Sequence, residues 1–428
     1  MIKVAVDLSP MRPGGQNGGV KLAILEFLKG LKAELGDELR YLFLTADDTH
    51  NEAAPILGER DSAHCVLRRV GRGNFSQSIE LATRFKVIAA SLLKREGVNL
   101  LYSPFGTVQV ASDQVPTVAM VVDLLHRDYP YSLPAQTREW RELQFRKLVR
   151  AAHFFQVISD YTSLRLQRLY NVPAEQILIT RLPIHGRLSA SEAPREPFFF
   201  YPANFWIHKN HETLLVAYQI YLAQTAGKRS PWSLVLTGFP DERMRVLQQI
   251  AADLGIAGQV KFLGHVPEQE LAKLYSTASC LVFPSLHEGY GIPIAEAMSF
   301  GVPIICGKNS SIPEIAGDAA YYEEMRNPSK LAEALLAISG DETLRQKLIA
   351  LGRKRIDTFD FSGEVKRLAE LFKTLAGRPK PVRLHSAKHL DEILSTSVYY
   401  GRSIARHALN AAVNVPLRVE NQFSQKIP

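Results

Sequence analysis

Glu288 and Glu296 stand eight residues apart in the run F-P-S-L-H-E-G-Y-G-I-P-I-A-E-A-M-S-F-G-V-P-I-I, residues 283–305. The apolar stretch Leu281-Val282-Phe283 reads as the end of a strand, and Glu288 falls in the loop after it. Gly289 and Gly291 flank Tyr290 in that loop. Pro293 suits a first helical residue, where its missing N–H would be unpaired in any case. The short helix carries Glu296 in its first turn and stops at Gly301, with Pro303 beyond. A strand, a glycine loop and a helix N-terminus make an anion cradle: free backbone N–H groups and the positive end of the helix dipole face one spot. Two acids beside such a cradle make chemical sense for a polyhydroxylated ligand. A sugar nucleotide offers a diphosphate to the N–H groups and hydroxyls to the acids.

Other residues could act with them. In N-F-W-I-H-K-N, Lys209 stands at a helix start, with Asn204 and His208 before it. A lysine there can meet a diphosphate as a point charge, although a single lysine is more often a solvated one. Asp123 and His126 lie in D-L-L-H-R-D-Y-P, just past a strand end. A lone histidine is usually structural; one at a strand end can also face a ligand. Asp123 would orient His126 or its loop. Gly18 and Gly19 close the loop Gly14-Gly15-Gln16-Asn17-Gly18-Gly19. Its spacing is not G-x-G-x-x-G, so a tight strand-to-helix turn and a close backbone approach to a ligand weigh equally. Glu296 could stabilise its own helix through the dipole, worth ~0.3–1 kcal/mol, and bind a ligand as well.

These residues need strand ends to hold them, and the chain supplies a series. Strands are predicted over residues 2–8, 41–45, 99–103, 115–122 and 153–159. Helices are predicted over 20–34, 76–95, 137–152 and 162–170. Residues 181–197 carry three prolines, serines and charges without periodicity, and read as a linker. A second series follows, with strands at 198–202, 233–238, 260–263, 280–283 and 303–306. Its helices are predicted from 211 and over 241–254, 268–276, 329–338, 341–359 and 362–375. Alternating strands and helices imply parallel sheets covered on both faces, with ligands at the carboxyl ends of the strands. The expected architecture is α/β: domain 1–180, linker 181–197, domain 198–377 and tail 378–428.

A chain of 428 residues, 46% hydrophobic and 22% charged, can build two cores. No stretch approaches the ~18 consecutive apolar residues of a membrane span. The start, M-I-K-V-A-V-D-L-S-P, reads as a strand and lacks the apolar core of a secretion signal. Cys65, Cys280 and Cys306 are scattered, with no zinc spacing, which suits a reducing cytoplasm. The formal charge is +8, and residues 378–428 hold eight Lys and Arg against three Asp and Glu. A basic amphipathic helix is predicted over 387–413. It would either pack on the first domain, the favoured reading, or lie on an anionic membrane surface.

Taken together, these motifs resemble the retaining GT-B glycosyltransferases whose hallmark is E-x7-E. Glu288 and Glu296 match that pair. The resemblance extends to N-x-x-x-H-K-N, to F-L-G-H-V-P-E-Q-E-L-A-K-L-Y before the motif strand, and to N-S-S-I-P-E-I-A-G-D-A-A after it. In the first half, G-G-V at Gly18 resembles the acceptor-side loop, D-L-L-H-R-D-Y-P a D-L-x-H-x-x-x-P variant, and V-I-S-D-Y-T-S a V-x-S-E segment. The resemblance implies two Rossmann-like domains facing a cleft, with a C-terminal helical tail. It implies transfer of a hexose from a nucleoside diphosphate sugar to an acceptor hydroxyl, with retention and without a metal or cofactor. Glu288 would hold the sugar hydroxyls, Glu296 the ribose, and Lys209 the diphosphate. The backbone of Gly289, Tyr290 and Gly291 would meet sugar and phosphate, and His126 would reach the sugar or its leaving phosphate from the facing domain. Glu314 would touch the nucleotide or cap a helix. Ala203 stands where many relatives carry an arginine, which puts more of the diphosphate on Lys209, Asn204 and His208. Val122 stands where many have a histidine, so His126 must serve instead. The variant resembles polysaccharide mannosyl- and rhamnosyltransferases, favouring GDP-mannose as donor and a growing or lipid-linked glycan as acceptor, in the cytoplasm at the inner membrane face. Nucleic acid is not an expected partner. A sugar-nucleotide epimerase and a non-catalytic sugar-nucleotide or glycan-binding module are the alternatives.

Overall fold

The apolar run Ile2–Asp7 forms strand β1, an inner strand of a seven-stranded sheet. A computed structural model of the chain describes residues 1–67, 89, 91–110, 115–183, 188 and 193–377. The sheet holds β2 (Leu39–Ala46), β3 (Ser62–Leu67), β4 (Leu100–Ser103), β5 (Thr117–Val121), β6 (Phe154–Val157) and β7 (Ile177–Ile179). Its order is β3-β2-β1-β4-β5-β6-β7, and every pairing is parallel. Parallel neighbours require helical crossovers, which cover both faces. The central strands are therefore buried along their length, as all eight residues of β2 are.

A second parallel sheet of six strands follows, in the order β10-β9-β8-β11-β12-β13. Its members are β8 (Glu196–Pro202), β9 (Ser233–Thr237), β10 (Val260–Phe262), β11 (Ala278–Phe283), β12 (Ile304–Cys306) and β13 (Ala320–Tyr322). Phe198 to Tyr201 in β8 are all buried, the continuous apolar run of a strand covered on both faces. Cys280 and Cys306 are buried in neighbouring strands, and Cys65 is exposed.

Each sheet reverses its winding once: between β1 and β4 in the first, and between β8 and β11 in the second. Loops leaving the strand ends at a reversal part to opposite faces and leave a crevice, which is where open α/β sheets bind ligands. The glycine loop follows β1. The Lys209 loop follows β8, and the Glu288 loop follows β11. The fold thus brings these three loops to two crevices.

Three strands, β3, β7 and β13, escape the sequence reading, and all three are sheet edges. The last helix, Phe361–Ala376, belongs to the second series in sequence but packs on the first domain. Its Phe361 ring meets Phe27 at 5.3 Å, and its Phe372 ring meets Tyr102 at 5.3 Å. Gly30 permits this approach, since a Cβ there would lie 2.8 Å from Val365 Cγ2. Most of the helix expected over 76–95, part of the linker, and all of the tail 378–428 fall outside the described residues. Among the described residues no helix is long and apolar enough to cross a membrane.

Candidate active site

The half of the site on the second domain begins where β8 ends. Asn204 accepts the Phe239 N–H at 2.8 Å, tying the loop after β8 to the loop after β9. The two loops touch so closely that a Cβ at Gly238 would lie 2.4 Å from the Ala203 carbonyl oxygen. A single turn, Ile207–Lys209, then leads to Asn210, which takes a left-handed φ of 62° ahead of helix His211–Thr225. Asn210 Nδ2 donates to the carbonyls of Pro284 (3.2 Å) and Met325 (2.8 Å), so it staples three loops together. That staple sets Lys209 over the Phe283 ring, 5.8 Å from its centroid. Lys209 Nζ meets Glu288 Oε1 at 2.5 Å, and both side chains are 12% exposed. The two charges offset each other's desolvation.

The loop after β11 is held by two serines from the neighbouring segment. Ser310 Oγ accepts the Glu288 N–H at 2.9 Å, and Ser311 Oγ reaches the carbonyls of Glu288 and Tyr290 at 3.0 and 2.9 Å. Gly291, with φ 112°, turns the chain into helix Ile292–Ser299. Glu296 lies in the second turn of this helix, not the first, because the helix starts one residue before Pro293. It is 4% exposed and accepts the Tyr275 hydroxyl at 2.8 Å. Tyr290 sends its ring into the core, where burial raises its phenol pKa.

The facing half comes from the first domain. Gly14 and Gly18 both take φ +60°, and Gly19 opens helix Gly19–Leu35. A Cβ at Gly19 would lie 2.8 Å from Ile292 Cδ1, so the glycine loop abuts the start of the helix bearing Glu296. A Cβ at Gly289 would lie 1.8 Å from the Val122 carbonyl oxygen, so only glycine fits there in this arrangement. Asp123 accepts the Leu125 N–H at 2.9 Å and shapes the turn Leu125–Asp128.

Two expected site residues turn away. His126 is 4% exposed, with Nε2 3.1 Å from the Tyr170 hydroxyl and 3.2 Å from Glu142. Its ring packs on Phe145. Burial lowers its pKa, against the pull of Glu142 and Asp123. The short turn Leu125–Asp128 faces this position back onto helices Ala135–Ala151 and Asp160–Tyr170, so His126 packs within its own domain. His208 is likewise buried, beside Trp206. Burial, together with Lys209 and His287, pushes its pKa down to about 2, and a neutral ring brings no charge to a phosphate.

The remaining candidates surround one cavity of about 580 Å³ between the domains, within the range typical of ligand sites. Lys209, Asn204, Glu288 and Glu296 line it from the second domain, with Gly289, Tyr290 and Gly291. Gly18, Gly19 and Asp123 line it from the first, and His126 and His208 do not. Sequence reasoning missed Lys21 and Glu52, which also line the first-domain wall. Lys21 follows the glycine loop directly, a signal that could have marked it; nothing local marks Glu52. Among the described residues no group of three or more His, Cys, Asp or Glu could hold a metal ion.

Glu314 bridges the domains. Its carboxylate accepts the N–H groups of Asp160 (2.9 Å) and Tyr161 (3.2 Å), which begin helix Asp160–Tyr170 of the first domain. Arg181 lies 3.6 Å from Asp160 and 3.8 Å from Glu314. Glu314 therefore caps a helix, and the helix is the other domain's.

Known proteins are similar to this chain in sequence and in fold. Residues 188–355 match the family model described as Glycosyl transferases group 1. The chain is 28% identical over 258 residues to O-antigen chain mannosyltransferase B of Escherichia coli, covering 56% of this chain and 66% of that relative. It spans about two thirds or less of the length of the curated relatives it matches. In structure it is similar to sucrose-phosphate synthase from Thermosynechococcus elongatus, with a TM-score of 0.66, 18% identity, and coverage of 88% of this chain and 99% of that one. It is also similar to Anabaena HepE in complex with UDP and glucose, with a TM-score of 0.61, 15% identity, and coverage of 87% and 100%. The two-sheet arrangement is the GT-B fold.

Proposed function

We propose, for a chain whose residues 188–355 belong to the group 1 glycosyl transferases, that it moves a hexose from a nucleoside diphosphate sugar to a hydroxyl of a glycan acceptor, with retention. The observation that carries this reading is the cavity in which Lys209, Glu288, Glu296 and the Gly289–Gly291 backbone meet the glycine loop of the facing domain. The leaving diphosphate gains negative charge as the glycosidic bond breaks. Lys209 and the N-terminal amides of helix Ile292–Ser299 bring positive charge to that place, and preorganised charge lowers a barrier most where charge develops. They fill the part that a metal plays in other phosphoryl chemistry, so EDTA leaves the rate unchanged in this reading. Glu288, released from Lys209 by the diphosphate, accepts from sugar hydroxyls, and Glu296 from the ribose. Tight apposition of the domains at Gly289 limits water, and with it donor hydrolysis.

The favoured donor is GDP-mannose and the favoured acceptor a growing or lipid-linked surface glycan at the inner membrane face. The support is the likeness to an O-antigen mannosyltransferase and the D-L-L-H-R-D-Y-P variant. A donor that binds only the folded chain raises its melting temperature by mass action. The test is therefore a melting screen with GDP-mannose, UDP-glucose, dTDP-rhamnose and ADP-glucose. Transfer to alkyl glycosides and the anomeric configuration of the product by NMR follow. A shift with GDP-mannose and an α-linked product is expected. No shift and no transfer with any donor would end the reading.

A further inference from the structure

The first-domain wall of the cavity carries a charged pair that the proposed donor does not need. Lys21 Nζ meets Glu52 Oε2 at 2.6 Å and also donates to the Arg12 carbonyl at 3.2 Å. Lys21 is 6% exposed, and a lysine so buried is rare unless paired. The pair joins helix Gly19–Leu35 to the turn His50–Ala53, which follows β2, and ties both to the start of the glycine loop. Glu52 keeps 35% of its side chain exposed and lines the cavity. Among the described residues nothing hydrogen-bonds to its Oε1. A carboxylate is acceptor-only, so that oxygen has room for a ligand's hydroxyl. Leu22 and Leu25, from the helix that bears Lys21, line the same wall and are only partly buried.

We infer that Glu52, positioned by Lys21, binds the hydroxyls of the acceptor sugar, while Leu22 and Leu25 take its C–H face. The inference rests on the glycosyltransferase reading. A pyranoside fits because it carries a hydroxyl edge and an apolar face on one small ring. The donor groups stand on the opposite, second-domain wall, so the two sugars meet across the cleft. Lys21 is a positioning residue: it fixes the carboxylate and the glycine loop together.

The test uses the full chain, GDP-mannose, and a panel of octyl glycosides: α-mannoside, α-glucoside, α-galactoside, α-rhamnoside and N-acetylglucosaminide. Glu52→Gln keeps the shape and removes the charge. The acceptor KM should rise about tenfold, the loss of one hydrogen bond to a charged group, while the KM for GDP-mannose stays within about twofold. Monodeoxy versions of the accepted glycoside should lose rate with the parent protein and be tolerated by the variant. Lys21→Met should repeat the acceptor effect, and Lys21→Arg should restore most of it. Equal change in both KM values, no change in either, or refusal of all five glycosides by the parent protein overturns the inference. Absence of transfer to water or glycoside from any of the four nucleotide sugars overturns the glycosyltransferase reading, and the inference with it.

Discussion

Residues 283–305 and residues 121–130 follow one local plan: the end of an inner strand, a polar loop, a short helix. The first delivers Glu288 and Glu296 to the cavity. The second delivers Asp123 and the Val122 carbonyl and turns His126 inward. Helix Ile292–Ser299 has 8 residues, enough to keep one face on the cavity and another in the core. The turn Leu125–Asp128 has 4, and its inward side takes the histidine. A pair of acids at fixed spacing specifies a face. A lone histidine goes wherever its own domain offers partners, and here Tyr170 and Glu142 offer them.

Three substitutions can break or sharpen this contrast. The largest effect is expected from Lys209→Ala, which should cut transfer by ~10²–10³, the usual cost of losing one preorganised group at developing charge. A rate within tenfold of the parent, measured at saturating donor, would remove Lys209, the partner of Glu288 in the first region, from the chemistry. Next comes Gly289→Ala, at the point where the two regions touch. Its methyl would lie 1.8 Å from the Val122 oxygen, so the domains must part. Misplacement on the order of 1 Å can cost ~10² in rate. Transfer should fall by about that factor while the melting shift with donor survives; normal transfer would mean that the reacting arrangement is more open than this one.

The smallest effect on rate is expected from His126→Asn. Transfer should stay within about twofold, while stability drops by ~1–3 kcal/mol through the polar groups left behind. A dead enzyme of normal melting temperature would return His126 to the site. Stability should also depend on pH through the buried histidines. Burial lowers the pKa of His126, and pushes those of His208 and His211 down to about 2 and about 3. In the unfolded chain each takes a proton near pH ~6.5. Their contribution is complete above that pH and is lost as pH falls toward the folded values. Asp7, raised to about 6 by burial, gains stability as pH falls from about 6 toward the ordinary carboxylate range, and Glu314, also raised by burial, acts in the same direction, so together they offset only part of this loss. The melting temperature should therefore fall between pH 7 and pH 5, and the fall should be shallower in His126→Asn.

Much of this arrangement is written locally. Strands covered on both faces carry continuous apolar runs, and those in β2, β8 and β11 stand out for that reason. The acids and glycines of residues 283–305 mark a strand end, a cradle and a helix in one reading. The edge strands β3, β7 and β13 are mostly half-exposed, and β7 and β13 span only three residues each, too few for a period to show. Helix Phe361–Ala376 shows its apolar face in sequence but not which domain that face covers. Glu52 meets Lys21 only because β2 lies beside β1 and sets the turn His50–Ala53 against the helix after the glycine loop. Contacts of that kind come from strand order, which local spacing does not encode.

The cap that Glu314 places on helix Asp160–Tyr170 bears on how such proteins can be recombined. A chimera joining residues 1–180 of one relative to residues 193–377 of another would inherit two intact sheets and both walls of the cleft. It would keep this cap only if one parent begins that helix in the same register and the other carries a carboxylate at the matching position. Grafting across the linker would therefore work best between parents matched at 160–161 and 314 together, a three-residue compatibility rule that concerns neither substrate.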